Sequence, residues 1–196
     1  MNITLVTGSH RPDSQSKRMA NLIKDHYLQG FDKIFMHHLA DMQLPFWDEG
    51  LWQGDKAWGE RLAPVRADLE NSDAFVIVTP EWSGMVTPML KNYFLLAGKG
   101  MAHKPALIVS VSSGMGGAYP VAELRSSSYK NTKICYIPEH IIFRGVEQLF
   151  TGKNPDLDAE IGERVQYCCD VLTGYSKALK SVRELPVDFE KFGYGP

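Results

Sequence analysis

The chain has 196 residues, 44% hydrophobic and 22% charged, the proportions of a globular protein with a sizeable core. A formal net charge of −2 leaves no basic footprint for nucleic acid, and an anionic substrate would need a local positive patch. Three cysteines, Cys135, Cys168 and Cys169, are too few for a disulfide framework. The opening residues lack a basic n-region and a long apolar run, and no stretch reaches bilayer-spanning length. A cytoplasmic chain with no membrane and no nucleic-acid partner is expected.

Residues 3–7 form a short β-branched run that stops at Gly8 and predicts a buried first strand. Met19, Leu22, Ile23, His26 and Tyr27 recur at helical spacing, so a helix is expected over residues 14–28, closed by Gly30. Residues 33–38 read as a second strand. Residues 39–55, with Pro45 and three bulky aromatics, read as a long loop. Trp58, Leu62, Val65 and Leu69 mark one face of a second helix, with Pro64 as a candidate kink. Residues 74–78 predict a third strand. Thr87 and Pro88 then predict the N-cap and first position of a helix that buries Leu90, Tyr93, Phe94 and Ala97. A fourth strand is expected over residues 105–111, a helix over 121–130 and a fifth strand over 141–146. The last helix carries Ile161, Val165, Cys168, Leu172, Tyr175 and Leu179 on one stripe; the tail after Pro186 has too little pattern to assign.

Strands thus alternate with helices five times, which predicts an α/β protein: a parallel sheet with helices on both faces. No repeat, low-complexity tract or linker interrupts the chain, so residues 1–196 are expected to form one domain. Ligands of such sheets bind beyond the carboxyl ends of the strands. Three loops leave predicted strand ends with unusual residues.

The first loop contains Gly8, Ser9, Arg11, Ser14 and Ser16. Its hydroxyls and guanidinium, with the amides of the following helix, suit a phosphate; equally, the serines could merely cap that helix. The spacing is neither G-x-G-x-x-G nor G-x-x-x-x-G-K-[ST], which argues against a dinucleotide Rossmann site and a P-loop. The second loop reads Thr79-Pro80-Glu81-Trp82-Ser83-Gly84-Met85. Trp82 could cover a flat heterocycle, or pack against a neighbouring loop or subunit. The third loop, Ser112-Ser113-Gly114-Met115-Gly116-Gly117, would let backbone amides approach a ligand; by itself it reads as a flexible glycine turn.

Together these loops resemble the NAD(P)H-dependent FMN reductase family. The first is similar to its G-S-x-R-x-x-S signature. Residues 79–92, from Thr79-Pro80-Glu81-Trp82-Ser83 to Leu90-Lys91-Asn92, are similar to its T-P-E-Y-N…L-K-N motif. Ser113 to Gly117 ahead of Leu124-Arg125, and Leu44-Pro45-Phe46-Trp47-Asp48, resemble weaker family elements. The resemblance runs from residue 1 to about residue 150. It implies a flavodoxin-like fold with a five-stranded parallel sheet in the order 2-1-3-4-5. It also implies bound FMN, NAD(P)H as co-substrate, a small-molecule electron acceptor, and a homodimer or homotetramer. Carried over by position, Ser9, Arg11, Ser14 and Ser16 would hold the phosphate. Pro80, Glu81, Trp82, Ser83 and Gly84 would border the isoalloxazine, and Ser112, Ser113, Gly114, Gly116 and Gly117 its other edge. Trp82 and Ser83 depart from the family's tyrosine and asparagine, and Thr87-Pro88 from its Pro-Gly.

In flavin enzymes the cofactor carries the hydride chemistry, so no catalytic side chain is expected. The implied cycle passes a hydride from NAD(P)H through the flavin to free flavin, a quinone or another electrophile in ping-pong order. An FMN-binding electron carrier or sensor is the competing reading, and a doubly wound domain holding some other phosphate is a third. The aromatics Phe46, Trp47, Trp52 and Trp58 separate the first two, as a dimer wall beside an open pocket or as a complete cap. No metal site is expected: the histidines lack ligand spacing, and His37 and His38 point to opposite faces of a strand. Cys168 reads as buried structure, and Asp48 and Glu49 as solvated loop acids.

Overall fold

Two strands of this chain are buried along their whole length, with Thr79 and Ser110 their only polar side chains, and they lie at the centre of the sheet. In the computed structural model, which describes residues 1–189 and 191, every residue of β3 (Ala74–Pro80) and β4 (Pro105–Val111) is buried. Around them run β1 (Asn2–Thr7), β2 (Lys33–His38) and β5 (Cys135–Phe143), giving the order β2-β1-β3-β4-β5 with every pairing parallel. Strands covered on both faces need continuous apolar runs rather than alternation.

Alternate residues feed two cores. Ile3, Leu5, Val76 and Val109 face α1 (Gln15–His26) and α8 (Pro155–Ala178), where Met19, Ile23, Val165, Cys168 and Leu172 meet them. Val6, Phe75, Ile77 and Ile108 face the other side. There Leu69 of α4 (Lys56–Asn71), Leu90 and Tyr93 of α5 (Pro88–Ala97) and Leu124 of α6 (Ala118–Ser126) cover them. The caps follow from composition. Ser14 accepts from the Lys17 N–H, Thr87 from that of Leu90 with Pro88 behind it, and Asn154 from that of Leu157.

Residues 39–55 are less irregular than their composition predicts, since they include the short helices α2 (Leu39–Met42) and α3 (Gly50–Gln53). α4 continues through Pro64. The helix expected over residues 121–130 is divided, because Ser128 adopts a left-handed conformation (φ 64°) between α6 and α7 (Tyr129–Thr132). β5 begins six residues before its expected start and ends at Phe143. Left-handed Gly145 (φ 55°) then turns the chain into a 3₁₀ turn over Val146–Gln148. On α8 the buried row is Gly162, Val165, Cys168, Cys169, Leu172 and Ser176, and Tyr175 is exposed. The short α9 (Lys180–Arg183) follows α8. Of the tail after Pro186, residues 190 and 192–196 lie outside the described residues; Phe189 stacks its ring against His103, with centroids 4.6 Å apart. Among the described residues no helix is long and apolar enough to cross a membrane.

Candidate functional site

Because β1, β3 and β4 are neighbours, the segments leaving their carboxyl ends meet at one end of the sheet. The first is tied to the second. Gly8 donates its N–H to Val78 O at 2.7 Å, and Thr87 Oγ1, besides capping α5, donates to Gly8 O. A Cβ on Gly8 would stand 2.9 Å from Leu90 Cβ, so the loop hugs α5 only because it has no side chain there.

The serines of this loop divide the two roles open to them. Ser14 caps α1, its Oγ accepting from the Lys17 N–H at 3.1 Å. Ser9 is 3% exposed and its Oγ accepts from the Arg11 N–H at 3.2 Å, which leaves its hydroxyl hydrogen to be donated elsewhere. Ser16 Oγ is buried with no hydrogen-bond partner among the described residues. A buried hydroxyl without a partner costs about 1–3 kcal/mol, and one at a helix start is positioned to donate to an anion. The Arg11 side chain is exposed and makes no hydrogen bond or ion pair with the described residues. Beside the loop, Lys17 is paired with Asp41 at 2.7 Å. Burial and then the Lys17 charge hold His38 below the usual imidazole range; its Nδ1 lies 3.0 Å from Thr7 Oγ1. His37 faces the opposite way, with Nδ1 2.7 Å from Tyr93 OH and Nε2 3.0 Å from Asp68.

The second loop is a hairpin. Trp82 and Met85 exchange backbone hydrogen bonds of 3.1 and 3.0 Å across Ser83 and Gly84, both left-handed (φ 52° and 72°). The Trp82 ring meets His10 edge-on, centroids 4.6 Å apart. His10 was not among the expected site residues; only its place between Ser9 and Arg11 pointed to it. Pro80 closes the buried run of β3. Glu81, expected beside the ring, accepts from the Gly117 N–H at 2.5 Å, and its Oε1 lies 2.6 Å from where a Gly116 Cβ would stand. Its carboxylate thereby fastens the second loop to the third. Glu123 does the same from α6, accepting from the Val86 N–H at 2.7 Å and pairing with Lys91.

The third loop is well anchored, contrary to its reading as a flexible turn. Ser112 O and Gly114 O accept from the N–H groups of Val146 and Gly145, and Met115 O and Gly116 O from Arg144 Nε. Gly117 (φ 102°) lies against Ile142, and a Cβ there would fall 2.3 Å from Ile142 Cγ2. Ser113 and Gly114 are exposed, and Ser110 Oγ beneath the loop is a second buried hydroxyl without a partner among the described residues.

The aromatic segment is held by Asn92, whose Oδ1 accepts from the Trp47 N–H and whose Nδ2 donates to Pro45 O, each at 2.8 Å. Asp48 is exposed, yet it is more than a solvated acid: Oδ1 accepts from the Gly50 N–H and Trp58 Nε1. Trp58 is buried with Leu62 and Leu96, whereas Phe46 and Trp52 are each 74% exposed.

Three comparisons bear on this arrangement. The family model described as NADPH-dependent FMN reductase matches residues 1–147. The chain is 24% identical over 172 residues to a protein of Oryza sativa subsp. japonica named Probable NADPH:quinone oxidoreductase 1, covering 85% of this chain and 87% of the relative. Its fold is similar to that of the flavoenzyme NAD(P)H:(acceptor) oxidoreductase from Paracoccus denitrificans, with TM-score 0.74 at 20% identity over 90% and 97% of the two chains. It is also similar to an NADH:FMN oxidoreductase in its apo form, with TM-score 0.68 at 16% identity over 88% of each chain. The sheet order and surrounding helices match that flavodoxin-like architecture.

Proposed function

The chain belongs to the NADPH-dependent FMN reductase family, and from that membership we propose how its loops serve the reaction. The family makes it an NAD(P)H-dependent oxidoreductase with FMN as cofactor. FMN, when bound, accepts a hydride from NAD(P)H and passes it to a second substrate. The residues of this chain bind, orient and enclose it.

The observation that carries the placement is the buried hydroxyl of Ser16 at the start of α1, without a partner among the described residues, with Ser9 and Ser14 beside it. An FMN phosphate there would receive hydroxyl donors from Ser9, Ser14 and Ser16, the positive end of the α1 dipole and the Arg11 fork. Pro80 to Gly84 would border the isoalloxazine, with Trp82 steadied by His10. The residues from Ser112 to Gly117 would border the other edge and present backbone amides from Ser113 to Gly116, while the Gly117 N–H is held by Glu81 as a positioning residue. No side chain is assigned a covalent or acid–base step.

Donor and acceptor would use the same exposed flavin face in turn, which predicts ping-pong kinetics with quinones or free flavin as acceptors. Phe46 and Trp52, exposed on a segment that Asn92 and Trp58 hold in place, suit contact with a second copy of the chain. That favours a dimer wall over a cap. The purified protein should show flavin absorbance that bleaches with NADPH, and double-reciprocal plots against a quinone should be parallel. Arg11→Ala should raise the Kd for FMN about tenfold or more, the scale of one charge-assisted phosphate contact, read by titrating the apoprotein with FMN. An unchanged Kd would remove Arg11 from the site.

A further inference from the structure

A reduced nicotinamide dinucleotide brings several phosphate charges to a protein of net charge −2, so its approach needs a local cation. Most cations around the carboxyl ends of the strands are already engaged. Lys17 is paired with Asp41, and Lys91 with Glu123. The Arg18 guanidinium is spent on Gln15, Val146 and Leu149. Arg11 and Arg144 have no carboxylate partner among the described residues, and Arg11 is assigned above to the flavin phosphate.

Arg144 directly follows β5. Its Nε donates to Met115 O and Gly116 O, 2.9 Å each, so the guanidinium is held against the outer side of the third loop. Both Nη groups make no hydrogen bond with the described residues. Flanking chain is fastened to the same loop through Gly145 and Val146. The positive charge continues along the edge strand. Arg125 Nη2 donates to the carbonyls of Ile137, Pro138 and Glu139, and Arg164 reaches Glu139 and His140 O. Burial first, then the charges of Arg125, Arg164 and Arg144, hold His140 below the usual imidazole range, with Glu139 opposing. Of these three arginines, Arg164 has the Glu139 carboxylate as its partner, whereas Arg125 and Arg144 donate to backbone carbonyls. An anchored guanidinium with a free fork is the group that takes phosphate oxygens two at a time.

We propose that Arg144 receives a phosphate of the dinucleotide donor, making it a donor-binding residue as well as an anchor of the third loop. The inference rests on the reading that this chain oxidises NAD(P)H at the three-loop site. The test compares wild type, Arg144→Gln and Arg144→Lys with NADPH and with 1-benzyl-1,4-dihydronicotinamide, a donor without phosphate. Calorimetric binding of NADP⁺ to the FMN-loaded proteins runs alongside. Arg144→Gln should raise the KM for NADPH and weaken NADP⁺ binding about tenfold, as one lost charge-assisted contact does. Arg144→Lys should recover part of both, and the loss with NADPH should exceed any loss with the phosphate-free donor about tenfold, since only NADPH uses this charge and the loop anchor serves both donors. An unchanged NADPH KM and NADP⁺ affinity would overturn the proposal, as would a parallel loss with the phosphate-free donor, which would mark Arg144 as a loop anchor only. If wild type turns over neither donor, the activity reading fails, and the NADP⁺ calorimetry still decides the Arg144 contact.

Discussion

Ser83 holds a backbone conformation that suits few side chains. With φ at 52° before Gly84 at 72°, it fills the first central position of a type I′-like turn, closed on both sides by Trp82 and Met85. Asparagine tolerates that region better than serine, because its amide can hydrogen-bond locally. The departure from the family's asparagine is thus first a cost in turn stability, and Ser83 is exposed, so in the FMN-free protein the turn itself is what the side chain acts on. Ser83→Asn should stabilise the FMN-free protein by about 0.5–1 kcal/mol, a part of the roughly 1–3 kcal/mol that a left-handed non-glycine residue costs. The urea midpoint measures it; an unchanged or lower midpoint would show that the turn is already relaxed. Residue types carried much of this site in the sequence: the serines, Arg11 and the glycines all lie in the three loops that meet. What the sequence hid was which polar group binds which. The Glu81 carboxylate accepts from the Gly117 amide, 36 positions away, and the Thr87 bond to Gly8 O joins residues 79 positions apart. Pairings across the fold leave no trace in local spacing.

Lys104 ends an element it does not belong to. Its Nζ donates to Leu69 O and Glu70 O, in the last turn of α4, and to Gly100 O, at 2.6, 3.0 and 2.9 Å, with the residue 8% exposed. Terminal helix carbonyls have no intrahelical donor, and a cation there also meets the negative end of the helix dipole. Lys104→Met keeps the apolar stem and removes the donor. Lost hydrogen bonds outweigh the relieved burial of the ammonium, so about 2 kcal/mol of stability should be lost, read as a lower urea midpoint. A variant as stable as wild type would mean that desolvation cancels the cap. Elements with strong internal pattern were legible: β1 to β4 and α1 lie within a few residues of expectation, α5 starts at Pro88 as expected, and α8 buries Val165, Cys168 and Leu172 of its expected stripe. β5 was not, because Pro138, Glu139 and His140 break its apolar run. As an edge strand with an irregular register near Ala106 and Ile108, it tolerates proline and polar residues that a central strand would reject.

At the scale of the molecule, alternation of strands and helices was enough to predict the parallel sheet, since each apolar run needs cover on both faces. How buried groups titrate together needed the packed structure. Burial pushes the Cys168 thiol up to about 11 and Cys169 to about 12 from an ordinary 9.0, and raises Cys135, Tyr27, Tyr93 and Tyr136. These groups hold protons in the folded chain that the unfolded chain has released. Their contribution is complete below pH 9 and is lost as pH rises through the folded values. Lys104 has the opposite sign. Burial first, then Arg183, pulls it down to about 8 from 10.5, so between those values the unfolded chain binds the extra proton and stability rises with pH. By pH 10.5 the two buried thiols would cost on the order of 2 kcal/mol each, and Lys104 would return about 3. Wild-type stability should therefore stay nearly level from pH 8 to about 10 and fall steeply once Lys104 is exhausted and the tyrosines titrate. In Lys104→Met the compensation is missing, and the fall should begin near pH 9. Urea midpoints of both FMN-free proteins across this range check it. Parallel curves would show that the three carbonyls keep Lys104 charged throughout, so that it acts as a fixed cap with no part in the pH dependence.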